Sequence, residues 1–203
     1  MSGNIYSIGY TSFEINSFID IIKEHDISCV VDVRSNPVAS EYYQIYSRTS
    51  LEKILNSKNI YYRNYALEFG ARQADYSLYK EFGYLDFDRF IKTTNFLLGI
   101  NKIKKGLELG YNFVLMCAEK DPINCHRAIM VAKGFKENGI IVDHIMADNS
   151  IQSQIDIEQR LLNMYFPQRG QQNLFEEKTE EDYIKEAYRV QNSKIGYKIE
   201  KVA

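Results

Sequence analysis

The stretch that decides the fold is NFVLMCAEKDPINCHR, residues 112–127. It begins with an apolar run at residues 113–116, which has the length and composition of a strand buried on both faces. Asp121 and Pro122 then predict the start of a helix that extends to about residue 138, because Asp caps helices well and Pro fits their first position. The free N–H groups of residues 123–125 and the helix dipole would attract an anion. We therefore expect a binding or catalytic site at this turn.

The composition is that of an ordinary soluble protein. The 203 residues are 45% hydrophobic and 26% charged, with a net charge of -2, so any binding of nucleic acid needs a local basic patch. No apolar run approaches the roughly 20 residues that span a bilayer, and the start MSGNIYSIGY lacks the features of a signal peptide. Three irregularly spaced cysteines do not form a disulfide framework. The sequence predicts a cytoplasmic protein without membrane partners.

The pattern along the chain predicts an α/β fold. A β-rich run at residues 4–8, a helical pattern at 15–25 and the run CVVDV at 29–33 form a βαβ unit, whose strands are parallel. Further strands are predicted at 59–66 and 140–145, and a helix at 87–109 with a break near Gly99. We expect a mainly parallel open sheet with helices on both faces.

The chain changes character at about residue 150. Helical patterns at 151–165 and 180–190 are separated by a segment rich in Gln, Gly and Pro. The predicted organisation is an α/β domain at 1–149 and a helical C-terminal extension with a polar linker at 150–203.

Polar side chains follow the predicted strands, and the carboxyl ends of parallel strands are where open sheets bind ligands. We therefore predict one pocket at this edge of the sheet. The predicted catalytic residues are Glu119, Cys117, Asp32 and Cys125. The predicted substrate-binding residues are Gly9, Thr11, Arg34, Asn124, His126, Arg127 and His144.

Each charged candidate also has a purely structural interpretation. Asp32 and Arg34 point to the same face of a strand, so they pair with each other or Asp32 orients Arg34 toward a phosphate or carboxylate. Glu119 could be a general base, a glycosyl nucleophile or the ion partner of an arginine. Arg127 is the strongest candidate for binding an anion, whereas His144 could equally be a core histidine.

Two cysteines flank the turn. Cys125 lies at the predicted helix start beside His126 and Arg127, where the pKa of a thiol falls and a thiolate can form. Either Cys117 or Cys125 could instead be a buried, inert thiol. Adjacent residues on a helix diverge by about 100°, so Cys125 and His126 would not bind one ion together. The sequence thus predicts no metal and no cofactor.

Five segments resemble the family catalogued as domain of unknown function 488 over residues 4–145. They are IYSIGYTS (5–12), VVDVRSNP (30–37), LEFGAR (67–72), LMCAEKDPINCHR (115–127) and VDHI (142–145). Two positions depart from the family pattern: Ala71 replaces the second glycine of a pair, and Tyr10 stands where many members have His. The resemblance implies an α/β fold and a common site built from these segments, but no reaction.

The tail carries a possible partner motif. Gln171, Leu174 and Phe175 resemble the peptide that binds the bacterial sliding clamp, in which an apolar pair enters a groove beside a glutamine anchor. The same Leu and Phe could instead pin the tail to the domain.

Three functions are consistent with these patterns. The leading one is an enzyme, such as a hydrolase or a glycosidase-like enzyme, that acts on a phosphate-bearing small molecule or nucleic acid. The second is a non-catalytic module associated with nucleic acid and recruited through the tail. The third is a thiol-based redox sensor that uses Cys117 and Cys125.

Overall fold

A computed structural model describes residues 3–81, 83–169 and 178–199 of the chain. Its strands are β1 (Ile5–Gly9), β2 (Cys29–Asp32), β3 (Tyr61–Asn64), β4 (Phe113–Cys117), β5 (Asp143–Ile145) and β6 (Ile151–Ser153). Its α-helices are α1 (Ile15–Glu24), α2 (Arg48–Asn56), α3 (Ala66–Phe69), α4 (Phe87–Phe90), α5 (Thr94–Glu108), α6 (Lys133–Glu137), α7 (Gln154–Tyr165) and α8 (Glu180–Ile195). A π-helical segment, Arg127–Ala132, leads directly into α6.

The strands form one sheet in the order β3-β2-β4-β1-β5-β6. All neighbouring pairs are parallel except β5 and β6, which are antiparallel. Four buried residues in a row, CVVD, make β2 apolar on both faces, as expected for the interior of a parallel sheet. The predicted α/β fold with a mainly parallel sheet is therefore confirmed.

Helices cover both faces of this sheet. On one face α1 and α2 pack over Val30 and Val114. On the other face α5, the helical segment at 127–137, α7 and α8 pack over Val31 and Leu115. Because the inner strands β2, β4 and β1 are covered on both sides, their carboxyl ends are where polar side chains can reach an open pocket.

Two predicted elements differ from the structure. The helix predicted at 87–109 is broken before α5 rather than near Gly99, because the side chain of Thr93 caps a new helix by accepting from the N–H of Phe96. Gly99 lies inside α5, where a Cβ atom would come within 2.8 Å of the Phe69 ring, so its role is close helix packing. Residues 151–153, predicted as helical, form β6, because their backbone pairs with β5.

The described part of the predicted C-terminal extension packs into the same core as the rest. Ile157 and Leu161 of α7 and Ala187 and Tyr188 of α8 belong to the apolar layer on one face of the sheet. Capping boxes start both helices, since Ser153 and Thr179 exchange hydrogen bonds with an aspartate three residues later. None of the described helices is both long and apolar enough to cross a lipid bilayer.

A buried polar network connects the extension to the sheet. His144 of β5 is fully buried and contacts the hydroxyl of Ser7 at 2.6 Å and Oε1 of Gln154 at 2.6 Å. The amide of Gln154 donates to the carbonyl of Ala128 and to the Tyr188 hydroxyl, so its oxygen accepts from His144 Nε2. The prediction that His144 binds substrate is therefore corrected: its ring is a core group whose nitrogens are already paired.

Replacing Asn192 by Ala should destabilise the fold. Asn192 is 6% exposed, and its side chain accepts from the N–H of Phe87 and donates to the carbonyl of Leu85. The variant leaves both backbone groups unpaired, so urea unfolding should show a loss of about 1–3 kcal/mol. Lys185→Ala, on the exposed side of the same helix, should change stability by less than about 0.5 kcal/mol. Equal stabilities of the two variants would show that α8 is not an integral part of the fold.

His144 should make stability depend on pH. Burial lowers the pKa of His144 from 6.5 to about 4. Between pH 4 and pH 6.5 this histidine is therefore protonated in the unfolded chain and neutral in the folded protein. The contribution of neutral His144 to the free energy of unfolding is complete above pH 6.5 and is lost as the pH falls toward 4. Between pH 7 and pH 5 the loss is about 2 kcal/mol. Urea unfolding at several pH values should therefore show a shallower decline for His144→Gln than for the wild type. Parallel curves would contradict a depressed pKa.

Candidate functional site

The strand order brings three of the predicted strand ends together. The carboxyl ends of β2, β4 and β1 are neighbours, and a pocket of about 320 Å³ opens beyond them. Its lining residues are Tyr10, Arg34, Ser35, Asn36, Val38, Ala71, Arg72, Cys117, Ala118, Glu119, Asn124, Cys125, His126, Ile195 and Tyr197. Six of the predicted site residues meet here: Arg34, Cys117, Glu119, Asn124, Cys125 and His126.

The loop after β4 carries Glu119 and is held by Arg127. The guanidinium of Arg127 is fully buried and donates to the carbonyls of Glu119 and Lys120. Gly9 adjoins this loop, since a Cβ atom there would lie 1.9 Å from the Glu119 carbonyl oxygen. Arg127 therefore does not face the pocket as an anion ligand, and Gly9 serves the close approach of β1 to the loop.

The helix after this loop begins later than predicted. Residues 122–124 form a short 3-10 turn, and Cys125 has extended backbone angles, φ -131 and ψ 140. The N–H groups of Ile123, Asn124 and Cys125 donate to the Asp121 side chain, the Asp121 carbonyl and the Pro122 carbonyl. They are therefore already engaged, and the anion cradle expected from them is not formed.

Cys125 instead caps the actual helix. Its carbonyl accepts from the N–H groups of Ala128 and Ile129, and its Sγ lies 3.5 Å from the N–H nitrogen of Arg127. Backbone N–H groups at a helix start stabilise negative charge on a sulfur. Because Cys125 is extended and His126 is helical, their side chains converge instead of diverging. Cys125 and His126 therefore do not diverge by about 100°, as two adjacent residues within a helix would, and both can approach the same ion.

Four side chains meet at the floor of the pocket. Oε2 of Glu119 lies 3.1 Å from Sγ of Cys117 and 3.0 Å from Sγ of Cys125. Nδ1 of His126 lies 3.7 Å from the Cys117 sulfur. Its Nε2 is 2.9 Å from the carbonyl oxygen of Val33, which can only accept, so Nε2 carries a proton. In the neutral ring, Nδ1 therefore presents its lone pair to the sulfurs.

The same contacts move the pKa values of these groups in opposite directions. The hydrogen bond with Cys125, followed by burial, holds the pKa of Cys117 well above its usual range. Burial opposes ionisation of Cys125, but the hydrogen bond from Cys117 and the charge of Arg127 outweigh it and hold its pKa well below that range. Burial, and then Cys125, raise the pKa of Glu119. Burial disfavours charged His126, yet its contacts with Cys125 raise its pKa overall.

Asp32 and Arg34 pair as the sequence predicted. Nε and Nη2 of Arg34 donate to the Asp32 carboxylate, at distances of 2.6–3.1 Å, and Nη2 also donates to the carbonyl of Tyr46. Asp32 accepts a further bond from the Tyr62 hydroxyl and is fully buried. It therefore orients Arg34 and does not line the pocket, which makes it a positioning residue and not a catalytic acid or base.

Two other features complete the site. Thr11 lies outside the pocket lining and donates to the carbonyl of Ala118, so it supports the loop. The C-terminal part of the chain contributes Ile195 and Tyr197, and Arg72 stacks on the Tyr197 ring at 4.5 Å. Sequence reasoning missed Arg72 and Tyr197, because no local pattern indicates that residues so far apart in the chain meet. Gln171, Leu174 and Phe175 lie outside the described residues, so the sliding-clamp motif stays a prediction.

Comparison with known proteins places this site in a family. The family model described as "Domain of unknown function DUF488" matches residues 14–133, more than half of the chain. Comparisons with curated proteins and with solved structures gave no match. The matched range contains Arg34, Cys117, Glu119, Cys125 and His126. The chain belongs to the DUF488 family, a family whose function is unknown.

Proposed function

We propose that this protein is an enzyme that acts on a phosphate-bearing substrate, a nucleotide or nucleic acid, in the pocket at the carboxyl edge of the sheet. The observation that carries the proposal is the state of Arg34. This arginine lines the pocket and is 6% exposed, and the Tyr10 ring lies 5.0 Å from its guanidinium. Its Nη1 is a buried donor that makes no hydrogen bond of normal geometry with the described residues.

The environment of Arg34 favours an anion as the missing partner. Leaving a buried N–H donor unpaired is costly, and a ligand oxygen would remove that cost. Asp32 and the carbonyl of Tyr46 fix the other guanidinium nitrogens, so Nη1 is held in one place. A fixed guanidinium is well suited to a phosphate or carboxylate oxygen.

The size and lining of the pocket favour a nucleotide among such anions. A volume of about 320 Å³ lies within the usual range for small ligands. Tyr197 is 37% exposed and supplies an aromatic surface, and base stacking on such a ring does not depend on sequence. A second cavity of about 520 Å³ shares Ser35 and Arg72 with the pocket, so a ligand longer than one nucleotide has room to continue.

The proposed reaction assigns the proton transfers to Glu119. It is the only carboxylate in the pocket lining formed by the described residues. In a hydrolysis, it would take a proton from the attacking water and return it to the oxygen or nitrogen that leaves, so water is the only other reactant. This applies to cleavage at phosphorus and at a glycosidic bond alike.

Arg34→Lys should weaken binding of phosphate-bearing ligands by at least about tenfold. Lysine keeps the charge beside Asp32 but has no planar fork, so it cannot hold Asp32 and reach a ligand oxygen at once. Thermal shift would be measured with nucleoside mono-, di- and triphosphates, nucleosides, inorganic phosphate, sulfate, and single- and double-stranded oligonucleotides. A ligand at 100 times its dissociation constant stabilises the wild type by about 2.7 kcal/mol.

The control for this panel is Arg63→Lys, which makes the same replacement at an exposed position outside the pocket lining. It should respond to ligands as the wild type does. A wild type that no ligand stabilises, or an Arg34→Lys variant that responds fully, would overturn the proposed anion site. The nucleosides separate recognition of phosphate from stacking of the base.

Glu119→Gln should abolish turnover while keeping ligand binding. The amide retains the size of the carboxyl group but cannot accept a proton, so the rate should fall by about 10²–10⁴. Ligands that stabilise the wild type would be incubated with each protein and the products identified by mass spectrometry. Glu41→Gln, at an exposed position, serves as the control. Full activity of Glu119→Gln would remove Glu119 from the catalytic role.

A further inference from the structure

We infer that Cys117, Cys125 and His126 bind a divalent zinc ion at the floor of the pocket. The two Sγ atoms and Nδ1 of His126 all lie within 4.8 Å of one another. Both cysteines are free thiols that are at most 2% exposed. Two sulfurs and one imidazole form a ligand set that zinc prefers, and the same set occurs in catalytic zinc sites with three protein ligands.

The distances suit a tetrahedral ion. Zinc lies about 2.3 Å from a thiolate sulfur and about 2.0–2.1 Å from an imidazole nitrogen, which puts the two ligand atoms roughly 3.6 Å apart. Sγ of Cys117 and Nδ1 of His126 are 3.7 Å apart. The other pairs of ligand atoms lie within 4.8 Å of each other, so side-chain movements of up to about 1 Å would close the site around an ion.

The surroundings of the ligands support a metal as well. Histidines that bind metals usually donate their other N–H to a carbonyl or carboxylate, as His126 does to Val33. The N–H of Arg127 points at the sulfur of Cys125 and would stabilise its thiolate form. Oε2 of Glu119 also approaches both sulfurs. The lone pairs of the two sulfurs and of Nδ1 thus converge beside Glu119, and one cation can bind all three.

Binding exchanges protons for the ion. As the two S–Zn bonds form, one proton leaves for each thiol of the cluster and passes to solvent, while the neutral imidazole binds through Nδ1. The released protons are those that the thiols donate to Oε2 of Glu119, so this carboxylate would be left free beside the fourth position of the ion. That position opens to the pocket, because Glu119 and the three ligands all line it.

A zinc ion at this site would supply a hydroxide for the proposed hydrolysis. Only this catalytic use of the ion rests on the proposed function. Zinc lowers the pKa of a bound water to about 7, which supplies hydroxide near neutral pH. Glu119 would accept the proton of that water. The substrate anion would be held by Arg34 on another wall of the same pocket. Metal binding itself requires neither Arg34 nor a substrate.

Cobalt titration tests the site directly, because Co²⁺ occupies zinc sites and is coloured. The full-length protein would be reduced with a phosphine, stripped with a chelator and titrated with Co²⁺, then with Zn²⁺. We expect one equivalent to bind, with a thiolate-to-cobalt charge-transfer band and the intense visible bands of tetrahedral cobalt. Zn²⁺ should then displace the colour.

Variants assign the ligands. Cys117→Ser and Cys125→Ser should each lose at least about 100-fold in affinity, since a direct ligand matters no less than its supporting groups. Cys29→Ser is the matched control, because Cys29 is also buried but its thiol donates to the carbonyl of Val30 and lies outside the cluster of Cys117, Cys125 and His126. It should bind cobalt as the wild type does. His126→Gln, which keeps a donor for Val33, should shift the visible bands and weaken binding.

The outcome separates this inference from the proposed function. Folded, reduced wild type without a charge-transfer band, or a Cys125→Ser variant with an unchanged spectrum, would overturn the zinc site. If a serine variant fails to fold, the wild type and Cys29→Ser still decide the question. Arg34→Lys should bind cobalt normally, so failure of the anion site leaves the metal result intact. Rapid formation of a disulfide between Cys117 and Cys125 even with zinc present would favour a redox pair instead.

Discussion

The burial of Arg127 is the constraint on which the geometry of the site depends. A guanidinium with no solvent exposure needs acceptors for its donors, and the carbonyls of Glu119 and Lys120 accept from Nη1 and Nη2, whereas Nε has no partner among the described residues. These hydrogen bonds hold the loop after β4 against the end of β1. A Cβ atom at position 9 would clash with the Glu119 carbonyl oxygen, so this contact requires Gly9. The loop in turn holds Glu119 over the two thiols. Arg127, which does not line the pocket, therefore positions the carboxylate of Glu119 in it.

A second buried ion pair organises the opposite wall. Asp32 is saturated by Arg34 and the Tyr62 hydroxyl, so the charge on each partner is compensated inside the protein. Tyr10 lies against this pair, with its ring 5.0 Å from the Arg34 guanidinium and stacked on Tyr46 at 4.6 Å. The polar groups of the pocket are thus rigid before any ligand arrives, which lowers the entropic cost of binding.

The C-terminal helices contribute directly to the pocket. Gln191 of α8 donates to the carbonyl of Ile123 and to the side chain of Asn124, in the turn that precedes Cys125. The last residue of α8, Ile195, and Tyr197 just beyond the helix lie at the pocket, and Lys198 pairs with Tyr84. The part of the chain outside the matched family range therefore shapes one wall of the pocket formed by family residues.

The α/β fold, the mainly parallel sheet and six of the fifteen residues that line the pocket could be predicted from the amino-acid sequence. Buried-strand runs such as CVVD and the polar residues that follow them are local patterns, and parallel strands necessarily bring their carboxyl ends to one edge. Local patterns could not show that Arg127 and His144 are buried, since both depend on acceptors from distant segments. They also misplaced the helix start: Asp121 and Pro122 form a sound cap, but it begins only a 3-10 turn. Tertiary structure decided that Cys125 is extended and that both thiols, His126 and Glu119 converge, because side-chain direction follows backbone angles that packing selects.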